Sequence, residues 1–145
     1  MSAGESKALA RRLIEEMFNR GNLEVADELY APDYVNHDPG NPEEIRGPEG
    51  IKGYVGVHRT AFPDLQLTIE DQVAEGDRVA TRWTGRGTYQ GDLMGIAPTG
   101  RRVTATGITI DRISGGKVVE TWTNFDVMGM MQQLGVIPSP EQAQA

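Results

Sequence analysis

The chain contains no cysteine among its 145 residues. Disulfide bonds, a thiol nucleophile and thiolate metal ligands are therefore excluded. It has only two histidines, His37 and His58, 21 positions apart, with no acids placed around them at ligand spacing, so no metal site is expected. It has no long apolar run, which excludes a helical membrane span. Met1-Ser2-Ala3-Gly4-Glu5 lacks the basic-then-apolar opening of a secretion signal, and a cytoplasmic location is the default expectation. Positive charge is scarce and scattered: 14 basic against 21 acidic residues give a formal charge of −7, which argues against a nucleic-acid surface. What remains is a soluble globular composition of one-domain size, 38% hydrophobic and 24% charged.

The apolar spacing changes character along the chain. Residues 5–19 read as an amphipathic helix, with Leu9, Leu13, Ile14, Met17 and Phe18 on one stripe and Gly21-Asn22 ending it. A short second helix runs from Leu23 to Tyr30, stopped by Pro32. Asp33 to Asp38 reads as a short extended piece, and 39–47 as a loop. A third helix starts at Pro48 and closes at Pro63, carrying Ile51, Tyr54, Val55, His58, Ala61 and Phe62. From there the pattern alternates: strands are expected over 65–74, 79–89, 102–113 and 117–126, with turns at Gly76-Asp77 and Ser114-Gly115-Gly116. A Met-rich helix at 127–134 ends at Gly135, and 136–145 reads as a mobile tail. Helices first and a strand meander after them give an α+β fold in one domain, residues 1–145. Its curved antiparallel sheet is capped by helices around a conical cavity.

On the last strand, Glu120, Trp122, Asn124 and Asp126 share one face, and Thr121, Thr123 and Phe125 the other. An acid, an amide and an indole on one face suit the wall of a pocket that binds a polar organic molecule and moves its protons. Spacing leaves Asp126 two readings, a carboxylate in that pocket or the N-cap of the following helix. Trp83 and Trp122 are candidate walls for a flat ligand, with core filling as the ordinary alternative. Asn124 is a candidate hydrogen-bond donor to an enolate or carbonyl oxygen. Tyr54 is a second donor candidate on the third helix, where simple packing is the commoner fate. His58 reads first as a half-buried helix-face histidine and second as a substrate contact.

Three segments together resemble the SnoaL-like polyketide cyclase family, within the nuclear-transport-factor-2-like fold. They are Asp33-Tyr34-Val35-Asn36-His37, the loop Gly91 to Arg102, and Gly116-Lys117-Val118-Val119-Glu120 with Trp122, Asp126 and Met131-Gln132-Gln133-Leu134-Gly135. The resemblance implies a cofactor-free enzyme that closes a polyketide ring by intramolecular aldol condensation. It implies that Asp126 is the acid/base, that His37 lines the pocket, that the substrate is a hydrophobic oxygenated small molecule, and that the chain works as a homodimer. The family's further pocket histidine on the sheet has no counterpart here. Other chemistry on the same cone therefore stays open (isomerisation, dehydration, hydrolysis), as does a non-catalytic ligand-binding module.

Overall fold

The computed structural model describes residues 1–138; most of the 136–145 segment expected to be a tail lies outside the described residues. Helix α1 spans Ala3–Arg12, opened by a capping box in which Ser2 and Glu5 bond each other's backbone amides. It continues through a π-helical stretch, Leu13–Asn19. The wider turn places Leu13, Ile14 and Phe18 along the wall of the central cavity. The end of this helix is held from two sides. The Arg59 guanidinium donates to the carbonyls of Phe18 and Asn19 at 2.6 and 3.0 Å. The Asn19 amide pairs with both backbone polar groups of Leu67, donating at 2.9 Å and accepting at 2.7 Å. The helix thus joins the edge strand as another strand would.

Helix α2 (Val25–Leu29) leads into β1 (Tyr30–His37), and a short β2 (Ile45–Arg46) leads into α3 (Gly47–Ala61). Then follow β3 (Gln66–Glu75), β4 (Arg78–Thr88), β5 (Arg102–Ser114), β6 (Lys117–Phe125) and α4 (Val127–Leu134). Helix α4 stops at Gly135, whose φ of 82° supplies the left-handed C-cap. The six strands form one sheet in the order β2-β1-β6-β5-β4-β3. The expected antiparallel sheet needs one amendment: β1 and β6 run parallel. They are joined only through the rest of the chain, so no hairpin constrains their sense.

The helices cover one face of the sheet. One apolar cluster joins Leu9, Leu13, Met17, Leu29, Tyr34, Ile51, Val55, Val79, Ile113 and Val118. A second joins Phe62, Tyr89, Leu93, Val103, Met130 and Leu134 at the other end. In the second cluster the Tyr89 hydroxyl donates to the Ile96 carbonyl at 2.6 Å and accepts from the Leu93 amide at 3.0 Å, which ties down the Gly91–Gly100 loop. Between the clusters the sheet is lined by residues with small or no side chains. Gly107 on β5 faces Trp83 on β4 and Phe125 on β6. A Cβ there would land on the Trp83 ring and 2.8 Å from Phe125 Cβ. Gly107→Ala is expected to destabilise the fold by about 1–3 kcal/mol through overpacking. Urea unfolding should show this as a lower midpoint at unchanged slope; an unchanged midpoint would mean that the sheet can spread to admit the methyl group.

Candidate active site

The space between the two clusters is an apolar cavity of about 120 Å³, open to solvent on one side. An apolar cavity of roughly 150 Å³ holds a benzene-sized molecule; this interior approaches that size, so a single ring is the most it takes. The π-helical stretch and α3 form its roof, and β4, β5, β6 and β1 its floor.

The register of β5 against β6 decides which residues face inward. Asp111 pairs with Thr121, Thr109 with Thr123, and Gly107 with Phe125. A bulge where β6 pairs Arg112 and Ile113 shifts the alternation, so that Val118 and then Thr121, Thr123 and Phe125 point under the helices. Asp111 is 6% exposed. Its one hydrogen bond among the described residues comes from Thr121 Oγ1, which donates to Oδ1 at 2.8 Å. Burial pushes the carboxyl up to about 6, against a smaller downward pull from that hydroxyl. The buried phenols Tyr30 and Tyr34 stand edge to face, ring centres 4.4 Å apart, and burial likewise raises them. Both feel the Asp111 charge. The polar end of the cavity is completed by Asn36, whose Oδ1 accepts from Thr123 Oγ1 at 3.2 Å, and by Thr109, whose Oγ1 accepts from the Trp83 indole at 3.0 Å.

Three of the residues singled out from the sequence line this cavity: Trp83, Tyr54 and His58. Tyr54 donates its hydroxyl to Asp38 Oδ2 at 3.1 Å, and its own pKa is raised by burial and then by that carboxylate. His58 Nδ1 lies 2.8 Å from the Tyr54 carbonyl oxygen, and its ring sits 4.4 Å from the Tyr54 ring.

The other four are placed elsewhere, and the expectation that they line the cavity is corrected. Asp126 is exposed; its Oδ1 accepts from the Gly129 amide at 2.8 Å, so it is the N-cap of α4. His37, Trp122 and Asn124 lie on the outer face of the sheet, along a shallow groove with Pro39, Pro42 and Glu44. There His37 Nε2 lies 2.7 Å from Glu120 and Nδ1 2.8 Å from Glu44, while the ring stacks on Trp122. The Arg78 guanidinium lies 5.2 Å from the centre of the Trp122 ring. Glu120, Trp122 and Asn124 share one face as their spacing predicts, whereas Asp126 lies beyond the strand end as the cap of α4. That face is outward because charged neighbours satisfy it there: Arg112 and His37 bond Glu120 and hold its carboxyl below the usual range.

The acid missed in the sequence, Asp111, carries a period-two signal. Val103, Ala105, Gly107, Thr109, Asp111 and Ile113 form one face of β5, and an acid in that small and apolar row is one that points inward.

A helix-capped curved sheet around an apolar cavity is the nuclear-transport-factor-2-like, ketosteroid-isomerase-like fold. A family model, SnoaL-like polyketide cyclase, matches residues 8–134, and the chain belongs to that family. It is 33% identical over 139 residues to aklanonic acid methyl ester cyclase DnrD of Streptomyces peucetius, covering 92% of this chain and 93% of that one. Among solved structures it is similar to AclR of Streptomyces galilaeus, provisionally described as a hydroxylase. That match has a TM-score of 0.83 and 36% identity, covering 95% and 85% of the two chains. It is also similar to IdmH of Streptomyces antibioticus, with a TM-score of 0.77 and 39% identity, covering 90% and 98%.

Two stability measurements separate the acids. Asp111 keeps its proton in the folded state up to about pH 6, whereas the unfolded chain releases it near the ordinary value of 3.8. Its burial therefore lowers stability as pH rises from about 4 to about 6, by about 3 kcal/mol, and no further above that. Relative to the wild type, Asp111→Asn should gain that amount between pH 4 and pH 7 in denaturant titrations; a constant difference would contradict the burial. Asp126→Ala should cost about 1 kcal/mol through loss of the cap, and should leave ligand binding in the cavity unchanged.

Proposed function

We propose that this chain is a cofactor-free, polyketide-cyclase-like enzyme acting on a hydrophobic, oxygenated ring or poly-ketone, with Asp111 as its acid/base. The observation that carries the reading is a buried carboxyl, raised to about 6, the one acid lining a mostly apolar cavity among the described residues. Such a group takes a proton more readily than a carboxylate in water and is still ionised for the most part at pH 7. An aldol closure uses this twice. The carboxylate removes a proton from a carbon between two carbonyls, and that C–H pair becomes the enolate double bond. The enolate carbon then attacks a second carbonyl, the new C–C bond forms, and the resulting alkoxide takes the proton back from Asp111. Tyr30 and Tyr34 at the same end, each with a raised pKa, stay protonated and suit an oxyanion as donors. The reacting ring occupies the cavity, and the remainder of a larger substrate lies toward solvent. A passive binding module has no use for a carboxyl of raised proton affinity in its ligand space, which favours the enzymatic reading.

The reading includes a cytoplasmic location, with which a cysteine-free chain is compatible. It also includes a homodimer formed through the outer face of the sheet, where Ile108 stands 50% exposed. Light scattering should give twice the 15.8 kDa chain mass; a mass equal to one chain would exclude a stable dimer.

Turnover is best tested first on aklanonic acid methyl ester, the compound in the name of the DnrD relative, and then on simpler poly-ketone esters. Asp111→Asn should lower kcat/KM by about 10²- to 10⁴-fold, with Asp126→Asn within a few-fold of wild type. The opposite pattern would return the chemistry to Asp126.

A further inference from the structure

His58 is an ionisable side chain of the cavity lining that the proposed chemistry leaves unused. It sits on α3, opposite the sheet, with its position fixed on one side only. Nδ1 faces the Tyr54 carbonyl oxygen at 2.8 Å, and a carbonyl can only accept, so Nδ1 carries the hydrogen. In the neutral ring Nε2 is then a bare acceptor. Among the described residues no side chain or backbone group bonds to Nε2, and Nε2 is not among fully enclosed atoms lacking a partner, so it opens on free space. That space is the cavity, whose lining includes His58 together with Phe62, Leu65, Phe18 and Ile14. The hydroxyl of the adjacent Tyr54 is turned to Asp38.

We propose, resting on the reading of the cavity as the substrate site, that His58 Nε2 accepts a hydrogen bond from a substrate hydroxyl. The ligand would then be a phenol or stable enol, held by its O–H at the helix side of the cavity. Burial supports the acceptor role, because it lowers the pKa of the ring and keeps it neutral. His58 thereby sets specificity and orientation. A hydroxyl anchored on α3 turns the rest of the ring toward the sheet, where Asp111 and the two phenols stand. An analogue with a methyl group in place of the hydroxyl would leave Nε2 desolvated and unpaired, a loss that a purely apolar pocket would not register.

The test uses two one-ring molecules of matched shape, p-cresol and p-xylene, titrated into the full chain with ¹⁵N-labelled histidine. The expected result is a shift of the His58 Nε2 resonance with p-cresol and none with p-xylene, in a ring that is the Nδ1–H tautomer throughout. His58→Leu should then lower the ratio of p-cresol to p-xylene affinity by about ten-fold. The ¹⁵N measurement on the wild type stands alone should that variant fold poorly. Binding of both molecules in the cavity with an unmoved Nε2, or an Nε2–H tautomer, would overturn the proposal and leave the cyclase reading intact. If neither molecule perturbs any cavity residue, the reading of the cavity as a ligand site falls, and this proposal with it.

Discussion

The pairing of Asp111 with Thr121 across β5 and β6 is the contact on which the site depends. It puts a carboxyl under the helices with, among the described residues, a single hydroxyl as its partner, far short of the several donors that would hold a buried carboxylate fully ionised. The result is a group poised near neutrality inside an apolar space. The register that produces it also turns Glu120, Trp122 and Asn124 outward, where Arg112, His37 and Arg78 meet the first two. A slip of one residue would exchange the two faces and place Glu120 where Thr121 is. The Gly115-Gly116 turn, with φ of 60° and 75°, fixes the start of this pairing, and the bulge beyond it sets which residues point in.

Around that contact the fold makes room by omission. Gly85, Gly87 and Gly107 carry no side chain where Leu67, Phe62 and Trp83 approach. The strands therefore curve around a hollow instead of closing on it. The roof is clamped at the end of the π-helical stretch, where Asn19 bonds Leu67 of β3 and Arg59 bonds the Phe18 and Asn19 carbonyls. A site built this way keeps its ionisable groups on regular elements, Asp111 on a strand and His58 on a helix, which is where positional precision is greatest.

Much of the architecture was legible in the residues. The helix breaks at Gly21 and Pro63, the hairpin at Ser114-Gly115-Gly116 and the left-handed stop at Gly135 are local signals, and local signals survive in the fold. Trp83 as a cavity wall was legible too, since Thr81 and Trp83 share a face away from Arg82. The face of β6 was not, because period two says which residues travel together and not which side is buried. Glu120, Trp122 and Asn124 looked like a pocket wall only until their charged neighbours on other strands were known. Asp126 had two readings from its spacing, and its bond from the Gly129 amide is the cap. Asp111 was overlooked because it sits in a run of apolar and β-branched residues that draws attention to the strand and away from the acid.

The central claim is that Asp111 is a buried, proton-exchanging carboxyl in the substrate cavity. A ¹³C NMR titration of its side-chain carboxyl tests it most directly. The account predicts a midpoint near 6, which moves when a ring-sized ligand fills the cavity. A midpoint near the ordinary aspartate value of about 3.9, indifferent to ligand, would contradict it.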